Sequence, residues 1–169
     1  MKLTGKNITL RPIQKKDLPI FVDWLKDKEV TRFIRSGEVT LKQEEEWFDS
    51  IQSDPDEVVF SICLGKKVIG NCAFHRHRPD GDFPDQTFIG LLIGDKHEWG
   101  KGHGTDALKT LLAHLQKIGE KEVYLCVSTK HIAARRVYEK CGFQILKKRK
   151  DPGCPNQCCE EYVMRTGWI

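Results

Sequence analysis

Gly100, Gly102 and Gly104 alternate with Lys101 and His103, and this spacing is suited to holding an anion. An apolar run from Thr87 to Ile93 leads into the glycines. Leu108, Leu111, Leu112, Leu115 and Ile118 then recur at helical spacing behind them. The first N–H groups of a helix have no partner within it and point at whatever sits at its start. Glycine lets the main chain approach closely and adopt positive φ. A phosphate-rich ligand is one reading; a plain glycine-rich helix start is the other. Two familiar phosphate loops do not fit. A Walker A loop needs four residues between its first Gly and its Gly-Lys-Ser/Thr. A dinucleotide fingerprint needs G-x-G-x-x-G and an acidic residue closing the next strand. The spacing here is G-x-G-x-G, and the next strand ends Cys126-Val127-Ser128.

Tyr138 stands on an amphipathic stretch with Ala134, Val137 and Cys141. Its phenol can return a proton to a leaving thiolate, or can serve as core. His75, His77, His131 and Asp85 are candidate bases, and each can equally be structural. Lys96, Lys101 and Arg136 can meet phosphate charge or stand as solvated cations. Cys154, Cys158 and Cys159 include a Cys-x3-Cys spacing that zinc accepts. The reading adopted for them is an ordinary polar hairpin loop with no metal. Asp80, Asp82 and Asp85 read as a solvated turn that could also attract a cationic acceptor.

Helices and strands must position these groups. Asn7 to Pro12 alternates like a strand. Leu18, Phe21, Val22 and Leu25 mark a helix over 15–27, followed by a short helical piece over 30–34. Thr40 and Gln43 form a capping box opening a helix that carries Trp47, Phe48 and Ile51. Glu57 to Leu64 and Lys67 to His75 form a hairpin around Gly65-Lys66. Val123 to Val127 is a strand, a helix stopped by Gly142 follows, and 143–146 with 161–164 close the chain. The order β-α-α-β-β-β-α-β-α-β-β predicts one α/β domain over 1–169. Its mixed, mostly antiparallel sheet has six to seven strands, with helices on both faces.

Two motifs in this order resemble the GNAT N-acetyltransferases. Trp99-Gly100-Lys101-Gly102-His103-Gly104 matches the family's Arg/Gln-x-x-Gly-x-Gly/Ala, with Trp99 in the first place. His131 to Tyr138, then Glu139-Lys140-Cys141-Gly142-Phe143, matches Asn-x-x-Ala-x-x-x-Tyr and Glu-Lys-x-Gly-Phe, with His131 for Asn. The form with Trp99 looks like the ribosomal-protein N-terminal acetyltransferase branch. The resemblance implies acetyl-CoA as co-substrate, an amine acceptor and no metal. It implies that the pyrophosphate is bound by main-chain amides over Trp99, Gly100, Lys101, Gly102, His103, Gly104 and Thr105, with His131 and Arg136 nearby. It further implies that Leu91 to Ile93, the last stretch of a strand that splays from its neighbour, present main-chain amides to the pantetheine and the thioester carbonyl, with Leu92 and Ile93 as the binding residues. Tyr138 is implied as general acid. Many relatives carry a Glu early in that strand where this chain has Phe88, which leaves the base unassigned.

The acceptor reading is a peptide or protein N-terminal amine. A polyamine or aminoglycoside is the alternative, because Asp17-Leu18 to Trp24-Leu25 also fits drug-modifying relatives. A non-catalytic acyl-CoA-binding domain is a rival on the same scaffold. Composition narrows the rest. The 169 residues are 39% hydrophobic and 31% charged, which suits a globular chain. A net charge of +4 does not argue for nucleic acid, and the run Lys147 to Lys150 reads as a solvated strand end. No stretch approaches the roughly 20 apolar residues of a membrane span. The seven cysteines, with no apolar leader, predict free thiols and a cytoplasmic protein, monomeric or homodimeric.

Overall fold

The computed structural model describes residues 1–34, 37, 39–77, 83–152 and 159–168. Asp80, Asp82, Cys154 and Cys158 lie outside the described residues. The strands are β1 (Leu3–Thr4), β2 (Thr9–Pro12), β3 (Glu57–Leu64), β4 (Lys67–His75), β5 (Phe88–Ile93), β6 (Glu122–Ser128), β7 (Gln144–Lys150) and β8 (Glu160–Gly167). The helices are α1 (Leu18–Lys26), α2 (Leu41–Gln52), α3 (His103–Lys117) and α4 (Ile132–Lys140). One eight-stranded sheet runs β1-β2-β3-β4-β5-β6-β8-β7. The six to seven strands expected from sequence become eight. The addition is β1, whose two residues are too short to show a period. The expected helix over 15–27 is a 3-10 turn (Lys15–Asp17) followed by α1. The piece at 30–34 is hydrogen-bonded turn rather than helix: Thr31 N–H bonds Asp27 O at 2.9 Å and Ile34 N–H bonds Thr31 O at 3.1 Å.

Alternation along the strands divides the core between two faces. Phe60, Ile62, Cys72, Phe74, Ile89, Val123 and Leu125 share one cluster with Leu108, Leu111 and Leu115 of α3 and Tyr138 of α4. Val59, Ala73 and Leu92 share the other with Leu18, Phe21 and Trp24 of α1, and with Ile51 and Trp47 of α2. Leu108, Leu111 and Leu115 are fully buried. Burying such a side chain contributes about 1.5–3 kcal/mol, which fixes α3 on the sheet more firmly than helix propensity does. Asp106, in the first turn of α3, clamps the chain before β2. It accepts N–H bonds from Lys6 (2.8 Å), Asn7 (2.6 Å) and Ile8 (3.2 Å). Burial pushes its carboxyl up, but the three amides outweigh burial and hold it below the usual carboxylate range.

The two edges of β5 differ. Against β4 it is paired antiparallel over all six residues, Phe88↔His75 to Ile93↔Gly70. Against β6 it is paired, in parallel, only at Phe88↔Tyr124, where Tyr124 N–H bonds Thr87 O at 2.8 Å. Beyond that rung the two strands part.

Candidate active site

The gap between β5 and β6 exposes main chain. Gly94 N–H bonds Ile69 O toward β4, and Thr87 O accepts from Tyr124 toward β6. Main-chain groups alternate sides along a strand, so those of Leu91 and Ile93 face the gap. Leu92, expected among the residues that face the coenzyme, turns its N–H and C=O to β4 and its side chain to the α1/α2 cluster. Leu91 takes its place at the open edge. No hydropathy pattern reports this, because main-chain direction is set by which neighbour a strand pairs with.

The glycine turn closes one end of the gap. Trp99 donates its indole N–H to Ile93 O at 2.6 Å, which ties the turn to the end of β5. Gly100 (φ +74°) and Gly102 (φ +85°) sit in the left-handed region that favours glycine. Gly102 is the N-cap of α3, and the first intrahelical bond runs from Asp106 N–H to Gly102 O at 3.0 Å. The N–H groups of His103, Gly104 and Thr105 therefore point out of the helix start. His103 is only 9% exposed, and its Nδ1 is buried with no hydrogen-bond partner among the described residues. Its Nε2 lies 3.3 Å from Glu98. A helix start with free amides suits an anion.

The cations divide. Lys96, a candidate phosphate partner from sequence, is held by Asp27 and Glu29, each at 2.8 Å, and their hydrogen bonds raise its pKa. Those carboxylates come from the end of α1 and the turn after it, so only the fold reveals the competition. Lys101 is 3.1 Å from Glu98. Arg136 is exposed on α4, with no ion pair to a described residue. Lys148 and Arg149 are paired across β7–β8 with Glu160 (2.9 Å) and Glu161 (2.8 Å), so the middle of that basic run carries its own counter-charges.

Tyr138 lies in the same core cluster as Ile89 and Val127, on either side of the gap. Its ring meets Phe143 edge-on at 6.0 Å. Burial pushes the phenol up to about 12, so it carries its proton at neutral pH. His131 caps α4 and stacks on Phe33 at 4.5 Å, and burial lowers its pKa. That stack gives it a structural task at the start of α4.

On the opposite face of the sheet lies a cavity of about 410 Å³, bounded by α1, α2, β3, β4 and β5. Its titratable lining groups among the described residues are Glu44, Glu57 and His75. Trp47, Phe21 and Leu25 supply apolar wall, and Gly90 leaves open space at its own position on β5. Burial pushes the Glu44 carboxyl up from the usual carboxylate range. Glu44 and Glu57 had no signal in the sequence, since both read as ordinary charges beside a helix cap and at a strand start. The other proposed bases lie outside this cavity. His77 is exposed with φ +50°, and Asp85 is exposed in the turn before β5. Together the parts form an anion-binding turn, an open strand edge, a buried phenol and a cavity lined by carboxylates on the far side.

The family model for the acetyltransferase (GNAT) domain matches residues 7–144. An alpha/beta-tubulin-N-acetyltransferase 9 of Drosophila melanogaster is 23% identical over 126 residues, 68% of this chain and 62% of that protein. A Bacillus subtilis subsp. natto protein named "Probable spermine N(1)-acetyltransferase" is 43% identical over 61 residues, 36% of this chain and 37% of that protein. The chain thus matches less than two thirds of either relative, and only 29% of a Methanocaldococcus jannaschii relative. Among solved structures, a GNAT-family acetyltransferase from Bacillus anthracis superposes with a TM-score of 0.82 at 18% identity, over 99% of this chain and 98% of that one. The aminoglycoside acetyltransferase AAC(6')-Ib, bound to acetyl-CoA and an aminoglycoside, superposes with a TM-score of 0.81 at 21% identity, covering 96% and 94%. At such identities the structures share the fold.

Proposed function

Because the chain belongs to the GNAT acetyltransferase family, we propose that it transfers acetyl from acetyl-CoA to a primary amine by direct attack in a ternary complex. The observation that carries this reading is the single rung joining β5 to β6. It leaves the Leu91 and Ile93 amides open between the glycine turn and Tyr138.

Acetyl-CoA supplies an activated acyl group. The chain's contribution is to hold and polarise it. The amides of His103, Gly104 and Thr105 bind the pyrophosphate. Lys101 and Arg136 add positive charge at the rim. The Leu91 and Ile93 amides bind the pantetheine and the carbonyl oxygen. Tyr138 donates its proton to the departing thiolate.

Two acceptor classes fit the cavity. One is a peptide or protein N-terminal amine, as the sequence motifs imply. The other is a small polyamine, favoured by the two carboxylates, Glu44 and Glu57, on one cavity of about 410 Å³. A thiol-release screen over Ala- and Ser-starting peptides, spermidine and aminoglycosides decides between them. Coenzyme binding with no amine-dependent release for any acceptor would reduce the chain to a binding domain.

A further inference from the structure

The transfer needs a base, since an amine reaches the site as an ammonium ion and cannot attack until it loses a proton. Phe88 offers none. It is fully buried and packs on Tyr124 with ring centroids 5.7 Å apart. The rung that holds Phe88 continues across the sheet. Phe88 pairs with His75, and His75 with Glu57. Residues directly opposite in antiparallel strands project to the same face. Both His75 and Glu57 line the cavity, and His75 Nδ1 lies 3.5 Å from Glu57 Oε1.

We infer that His75, steadied by Glu57, is the base that deprotonates the acceptor amine. The inference rests on the acetyl-transfer reading above. The imidazole belongs to the strand beside β5, at the rung where β5 leaves β6, and lines the same cavity as Gly90, Leu91 and Leu92 of β5. Among the described residues, Glu44 of α2 is the other titratable group on the same cavity. His75 takes one proton from the ammonium and later releases it to solvent. The freed nitrogen bonds the acetyl carbonyl carbon, and the C–S bond breaks. The thiolate receives the Tyr138 proton. The second proton leaving the nitrogen restores the phenol, so the sum is amide, thiol and one released proton. Glu57, beside Nδ1, stabilises the imidazolium formed in the first step, much as a carboxylate steadies histidine in a hydrolase triad.

The test uses the full chain with spermidine and with an Ala-starting peptide, each from pH 6 to 9, analysed with whichever turns over. H75Q should lower kcat/KM by about 10²–10⁴-fold while leaving acetyl-CoA affinity by calorimetry unchanged. Free imidazole should restore part of the activity of H75A. E57Q should lower kcat/KM by less than H75Q does and move the acid limb of the pH profile to lower pH. E44Q should act on the amine KM and leave that limb in place. An H75Q enzyme within threefold of wild type overturns the inference. So does a loss confined to KM with the acid limb intact. Wild-type protein that binds acetyl-CoA yet releases no thiol with any amine overturns the transfer reading itself, a result separable from either.

Discussion

The two edges of β5 share six residues and do opposite work. Toward β4 every rung is made, and the approach is so close that a Cβ on Gly70 would sit 2.2 Å from Leu92 O. Toward β6 there is one rung, after which the main chain is left open. The closed edge holds the strand rigidly enough for the open edge to present its amides at fixed positions. An unpaired strand edge is normally an aggregation hazard. Here it lies inside the sheet, between a glycine turn and α4, where a small ligand can reach it and another chain's strand cannot.

The contrast can be broken from either side. The largest effect is expected at the open edge. Tyr138→Phe should lower kcat about 10²-fold or more with little change in the acetyl-CoA KM, measured by thiol release. Unchanged kinetics would remove the phenol from the reaction. Next comes the closed edge. Gly70→Val should cost about 1–3 kcal/mol through overpacking, read as a fall in Tm, because the main chain of β5 cannot move aside. Gly102→Val forces a β-branched residue into positive φ, at a strain of about 1–3 kcal/mol. It should weaken acetyl-CoA binding about tenfold in calorimetry while leaving the cavity groups untouched. Gly90→Val sharpens the comparison. A Cβ there meets nothing within 4 Å, so Tm should hold while the amine KM rises several-fold as the cavity fills. The smallest effect is at Asp106. Its lowered carboxyl contributes stability above the unfolded carboxylate's pKa and loses it as pH falls through the folded one. Asp106→Asn should therefore flatten the acid side of a Tm-versus-pH curve.

How far each element was legible depends on whether its signal is local. The β3–β4 hairpin, α3 and the Thr40–Gln43 capping box follow from period and capping chemistry within a few residues. β1 escaped because two residues carry no period. The 30–34 turn looked helical because Val30 and Ile34 are four apart. In the glycine turn the need for positive φ was readable, and Gly100 and Gly102 meet it. The loss of Lys96 to Asp27 and Glu29 was not, since those partners lie some 67 to 69 residues away in the chain.

The sequence alone determined the order of elements, the glycine turn opening a helix and Tyr138 on a helix that follows the next strand, because each is written in residues close together along the chain. Tertiary structure decided which strand edge stands open, that Leu91 rather than Leu92 faces it, and that Glu57, His75 and Glu44 share one cavity. Those outcomes depend on pairing and packing between segments dozens of residues apart, which no local period encodes.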